Sequence, residues 1–238
     1  MKRVIQPALL LATLAFAVAP TFTPSFQGYD PAKFPVQIEN PSVQPAGYAF
    51  AIWGLIYLWL IAHAAFGLIK RRGVRAFLNP AVPLTLSVVL GTVWLAIAAA
   101  SPIPAAVAII AMAGLAIYAY VIADPVQDRW LLSAPLAIYA GWLTAASAVS
   151  TGVILAGYGI LPDATAALTM LATVLIIAVT IQNMRPNLPI YGATIVWAII
   201  GIVVENWGVN PTVAYAALAG ATIMALVTLA QLRRPMAK

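Results

Sequence analysis

Six carboxylates and one imidazole are the only acid–base side chains of ordinary catalytic pKa in this 238-residue chain. The acids are Asp30, Glu39, Asp124, Asp128, Asp163 and Glu205, the imidazole is His63, and there is no cysteine. General acid–base work needs two such groups brought together, and a soft metal site needs several His or Cys ligands. Five of the six acids belong to loops or to the ends of apolar runs, and a single His cannot build a metal centre. No nucleophile–base–acid set and no phosphate-cradling glycine loop is visible. The expectation is therefore a protein that is not an enzyme and that holds neither metal nor cofactor. His63 lies well inside an apolar run, where an ionisable group is costly. Two roles fit it: a neutral ring satisfied by one or two hydrogen bonds, or a ligand or proton contact. Glu205, in "VVENWGVNP", closes another such run, at the depth of lipid headgroups, where a carboxylate is cheap.

The aromatic residues carry more information. Phe50, Trp53 and Tyr57 recur at i, i+3 and i+7 and share one helix face. Ser87, Gly91 and Trp94 share a second face, and Tyr139, Trp142, Ala146 and Ser150 a third. Thr194, Trp197, Gly201 and Glu205 share a fourth. Each face sets a Trp beside small or weakly polar residues, whereas a lipid-facing Trp belongs at the membrane interface. Two arrangements are compatible with this spacing. In one the rings pack tightly between helices. In the other they wall a deep pocket for a flat, mostly apolar ligand. Gly47 and Ala51, four apart, would let a neighbouring helix approach closely.

The elements that must position these residues are membrane helices. The chain is 63% hydrophobic and 8% charged, with a mean hydropathy of +0.98. A water-soluble domain carries roughly a quarter of its residues charged, so the solvent here is the lipid bilayer. A bilayer core about 30 Å thick calls for roughly 20 apolar residues per helix. The continuous apolar runs favour helices over a barrel. Eight spans follow, at about 4–22, 46–69, 79–100, 103–123, 130–156, 164–182, 188–206 and 211–232. Pro80, Pro102, Pro104, Pro125, Pro162, Pro186 and Pro211 stand at or just outside their ends, where a missing N–H does least harm.

Eight spans put both termini on one side. Lys2, Arg3, Lys70, Arg71, Arg72, Arg75, Arg129, Arg185, Arg233, Arg234 and Lys238 then share that side, and only Lys33 falls opposite. This bias places both termini in the cytoplasm. The net charge of +6 is thus a topology signal and does not point to nucleic acid. The Lys70–Arg75 cluster fits topology control first and anionic lipid headgroups second. The first span, with its basic start and "AVA", has features of a signal peptide, but Pro20 is a poor cleavage neighbour, so a retained helix is expected. In the long external segment 23–44, Phe26, Tyr29 and Phe34 are expected to rest at the membrane interface, with a lid over a pocket as the alternative.

The stretch "QPAGYAFAIWGLIY" at 44–57 resembles the signature leading into the second helix of the TspO/MBR family, the tryptophan-rich sensory or translocator proteins. Pro45 matches the second of that family's paired prolines, and Ile52, Trp53, Ile56 and Tyr57 match the signature's closing part. "IYAGWLTAASAVS" at 138–150 is similar to the fifth helix, with Trp142 and Ala146 in register. Trp94 corresponds to the third-helix Trp. Gly47, Gly91 and Ser150 depart from the family pattern, which has Trp, Asn and Asn there. The resemblance covers about 1–156 and implies an all-α, five-helix membrane region. Residues 157–238 add three helices as part of one integrated membrane domain, as in longer bacterial relatives. "IYAGW" at 138–142 and "IYGATIVW" at 190–197 hint weakly at an internal repeat.

The resemblance further implies an intrabundle pocket binding tetrapyrroles such as protoporphyrin IX, or sterol-like molecules, in a sensory, regulatory or transport role. Its walls would include Phe50, Trp53, Tyr57, Trp94, Tyr139, Trp142 and Ala146. It implies residence in a bacterial inner membrane and permits a homodimer. A small secondary transporter of an unknown solute is the alternative, motivated by eight spans with Pro/Gly interruptions.

Overall fold

The computed structural model describes residues 4–23, 26 and 28–232. Helices account for all regular structure among them, and eight are long and apolar enough to cross a membrane. We number the α-helices in chain order: α1 Ile5–Val18, α2 Ile52–Ile69, the short α3 Arg75–Leu78, α4 Ala81–Ala100, α5 Pro102–Ile122, α6 Ser133–Gly157, α7 Asp163–Met184, α8 Pro189–Asn206 and α9 Pro211–Leu232. The expected proline punctuation accounts for the starts. Pro102, Pro189 and Pro211 are the first residues of α5, α8 and α9, while Pro80 and Pro162 immediately precede α4 and α7. Proline's preset φ suits a helix start, and its missing N–H is one that would have no helical acceptor there.

α6 is the centre of the bundle. In its most apolar stretch 61% of residues are buried, against 22% for Ile5–Phe22. On one side of α6 lie α5 and α2, with α1 lodged between α2 and α4. On the other side lie α7 and α8, both covered by α9. Lipid tails give helices no hydrophobic reason to associate, so small residues at the seams carry the packing. The buried face of α5 includes Ala105, Ala106, Ala108, Ala113, Ala116 and Ala119. Gly141 of α6 faces α8 so closely that a Cβ there would lie 2.9 Å from the Tyr191 carbonyl oxygen.

The two ends of the bundle differ. At one end the turns after α2, α5 and α7 are tied together. Arg71 makes a bidentate pair with Asp128 at 2.6 and 3.0 Å, Arg185 donates to the Val121 carbonyl, and Arg129 donates to that of Asn187. Gln6 of α1 joins them by donating to Gly67 O and Arg71 O and accepting from Gly73 N. This basic end holds Lys70, Arg71, Arg72, Arg75, Arg129 and Arg185. Lys33 sits at the opposite, loop end, where its ammonium caps the Ala99 carbonyl of α4. Lys2, Arg3, Arg233, Arg234 and Lys238 lie outside the described residues.

At the loop end, segment 42–50 docks onto α7 and α8. Asp163 accepts from the Ser42 amide and hydroxyl, Asn206 donates to Ser42 O, and Trp197 donates to Ala49 O. Gly201 makes this approach possible, since a Cβ there would meet Pro45 Cβ at 2.8 Å. The expected helix contact through Gly47 and Ala51 does not form. Both are exposed, and nothing lies within 4 Å of where a Gly47 Cβ would be. The reason is that α8 meets the opposite side of this turn, at Pro45 and Ala49.

Candidate functional site

Three of the seven Trp residues, each from a different helix, converge near the loop end. Trp53 stacks on Tyr57 one turn below, with centroids 5.3 Å apart and planes at 20°. Trp142 of α6 meets Trp53 edge-on at 6.2 Å and Phe50 at 5.9 Å. Trp94 of α4 meets Phe26 edge-on at 4.9 Å. Phe16 of α1 closes the ring of aromatics, edge-on to Trp53, Tyr57 and Tyr139. Edge-to-face is a favoured geometry for neighbouring rings, and space remains between these.

That space has two lobes, which share Phe26, Phe50, Trp53, Trp94 and Ile109 as walls. One lobe, about 620 Å³ including its mouth, runs toward Tyr29, Pro45, Trp142, Ser150 and Ala198. The other, about 790 Å³ on the same measure, runs toward Phe16, Pro20, Tyr57 and Gly91. The lining is apolar with few polar groups. Tyr29 and Ser150 pair their hydroxyls at 2.7 Å. Burial pushes the Tyr29 phenol above its ordinary pKa, with the Ser150 bond pulling the other way, so the pair is neutral at physiological pH. The Trp94 N–H donates to Ala105 O at 2.9 Å. The Trp142 N–H has no partner, although its side chain is only 2% exposed.

Of the residues singled out in the sequence, Phe50, Trp53, Trp94, Trp142 and Ala146 line the first lobe, and Tyr57 lines the second. Tyr139 lines neither. It is wholly buried beneath the cavity, with its hydroxyl paired to Ser87 at 3.0 Å, because α4 and α5 close over it. Trp197 also stays outside: it braces Ala49 and is 38% exposed. His63 lies toward the basic end, stacked on Phe77 at 5.5 Å, with Nδ1 2.8 Å from Leu131 O. A carbonyl can only accept, so the bond requires the tautomer with its proton on Nδ1. Glu205 is half-buried near the end of α8, and Asn206 beside it makes the inward contacts to Ser42 O and Ile202 O.

The residues that carry the site without a signal in the sequence are Phe16 and Gly28, while Phe26 and Tyr29 follow the alternative given for their segment. Phe26 and Tyr29 turn into the cavity instead of resting at the interface, and Phe34 is buried against Gly157 and Tyr158. Irregular backbone shows no periodicity from which their direction could be read. Gly91 is explained by Phe16: a Cβ there would lie 2.5 Å from the Phe16 ring. The phenyl thus takes the space that a larger residue on α4 would need.

Compared with models of protein families, the chain matches the one described as TSPO-like protein over residues 4–230. The match extends through α7, α8 and α9, beyond the 1–156 region in which the motif resemblance lies. Comparison with curated proteins and with solved structures gave no match.

Proposed function

The chain belongs to the TSPO-like protein family, and from that premise we propose that it binds a flat, mostly apolar, tetrapyrrole- or sterol-like ligand in the aromatic cavity, in a sensory, regulatory or transport role and without chemical conversion. The observation that carries this reading is the meeting of Trp53, Trp94 and Trp142 around one apolar space. Their faces offer stacking surface to planar rings. The unpartnered Trp142 N–H favours a ligand with a hydrogen-bond acceptor directed at it, since an unmet buried donor costs about 1–3 kcal/mol. Phe26, Tyr29 and Gly28 form the lid, and Ala198 lets the last three helices complete one wall. The basic end faces the cytoplasm, following the positive-inside bias, so the cavity opens toward the opposite leaflet.

The test is a Trp-fluorescence titration of detergent-purified protein with protoporphyrin IX. Saturable quenching at micromolar ligand is expected in the wild type and is expected to be lost in Trp53→Ala and Trp142→Ala. Weak, unsaturable quenching alike in all three proteins, repeated with a sterol probe, would rule the reading out.

A further inference from the structure

At the basic end, Arg185 directly follows α7 and is 8% exposed. Its Nη1 donates to Val121 O at 3.1 Å, and the guanidinium lies 5.3 Å from the centroid of the Tyr120 ring. Its Nε and Nη2 have no hydrogen-bond partner, and neither has the buried Tyr120 hydroxyl. Tyr120 cannot easily swing toward another acceptor, because it stacks on Tyr191 at 5.6 Å with planes 10° apart. The guanidinium and the phenol act on each other across this seam, and Arg185 Nε and Nη2 meet no carbonyl or carboxylate.

The charges there are also unbalanced. The one ion pair among the described residues joins Arg71 and Asp128, so neither is available to Arg185. Asp124 is the acid that acts on Arg185 from nearby, yet it makes no ion pair with it. Its Oδ1 instead accepts from the Val126 and Gln127 amides. A second guanidinium, Arg129, donates to Asn187 O, two residues beyond Arg185, and its charge reaches the same Tyr120 hydroxyl. Burial lowers the Arg185 pKa, but a guanidinium stays charged at any physiological pH. A buried cation with open N–H groups is stable only if an acceptor satisfies it.

We propose that Arg185, Arg129 and Tyr120 form a binding site for a phosphate group, carried either by an anionic lipid headgroup or by free phosphate. Several tetrahedral oxygens suit two guanidinium forks and a phenol, whereas one acceptor oxygen would not. The site stands where the apolar helices end, at the depth of headgroups, and basic recesses between membrane helices are the kind that hold anionic lipids. It lies at the seam between α5 and the α7–α8 turn, so occupancy would tie the first five helices to the last three. None of this depends on what the aromatic cavity holds.

The experiment is thermal unfolding of the delipidated full-length chain in neutral detergent. The additives are phosphatidylglycerol, phosphatidylcholine, or inorganic phosphate against chloride at matched ionic strength. A rise of several degrees with phosphatidylglycerol alone identifies the lipid source, and a rise with inorganic phosphate identifies the free anion. Either rise should vanish in Arg185→Gln and shrink in Arg129→Gln. If Arg185→Gln does not fold, Arg129→Gln and Tyr120→Phe carry the comparison. The proposal is overturned by the absence of any rise, by equal rises in wild type and variants, or by phosphatidylcholine acting as strongly as phosphatidylglycerol.

Discussion

At the loop end, Trp53, Trp94 and Trp142 stand apart around a cavity. At the basic end, Gln6, His63 and Arg71 fill the spaces around α1, α2 and the α5–α6 turn with hydrogen bonds. Both ends must satisfy backbone groups where helices stop. The basic end does so from inside: Gln6 reaches Gly67 O of α2 and Arg71 O just beyond it, and His63 reaches Leu131 in the α5–α6 turn. The loop end does so from the periphery. Trp197 serves Ala49, Asn206 serves Ser42, and Lys33 serves Ala99. Its interior is left to large rings, small residues and one neutral Tyr29–Ser150 pair. At the loop end polar demand is met at the rim, around a cavity; around α1, α2 and the α5–α6 turn it is met in the middle, while Arg185 and Tyr120 at the same end keep open polar groups.

The sharpest way to break this comparison is Gly201→Leu. The new side chain would displace Pro45 and detach the 42–50 turn from α8. A loss of about 3 kcal/mol is expected, at the upper end for overpacking. Thermal unfolding in detergent measures the loss, and porphyrin quenching should weaken with it because Pro45 is a cavity wall. Gln6→Ala strikes the opposite end. It removes three hydrogen bonds, strands two carbonyls and an amide, and should cost about 2 kcal/mol. Quenching of the folded fraction should stay at the wild-type level. Porphyrin affinity that fell as far in Gln6→Ala as in Gly201→Leu would mean that the two ends are not separate.

The eight spans were legible because an 18-to-26-residue apolar helix leaves its mark on composition, and prolines mark its starts. The Phe50–Trp53–Tyr57 face was legible because helical spacing survives in any sequence. The same reasoning grouped Tyr139 with Trp142, yet one helical turn separates a cavity wall from a buried floor, and only the neighbouring α4 and α5 decide between them. Trp197 shares the same kind of face and points elsewhere, because its partner is a backbone carbonyl in the 46–51 turn. For Phe26 and Tyr29 two placements stayed open, interface or lid, because without regular backbone spacing says nothing about direction. The Ser42–Asp163–Asn206 lock joins residues more than 100 positions apart, a pairing that no local pattern carries.

Smaller effects sharpen the division. His63→Phe keeps the stack on Phe77 and removes the bond to Leu131, leaving that carbonyl unpaired. The expected cost is about 1 kcal/mol in unfolding with unchanged porphyrin quenching. Quenching altered by this variant would bring His63 into the ligand's reach, contrary to its place at the basic end.

The finest test lies in the lid, where Tyr29 and Ser150 form one of the few polar contacts facing the cavity. Their hydroxyls meet at 2.7 Å in a half-buried setting, so the net bond should be worth about 0.5–1.5 kcal/mol. A double-mutant cycle of Tyr29→Phe, Ser150→Ala and the pair isolates it, because each substitution removes one hydroxyl and adds nothing new. The coupling should appear twice, in unfolding and in the porphyrin dissociation rate, since a lid released from α6 lets ligand leave sooner. Coupling in unfolding alone would make Tyr29 a brace for the loop. Coupling in both makes Tyr29 part of a lid whose closure and fold stability draw on the same bond.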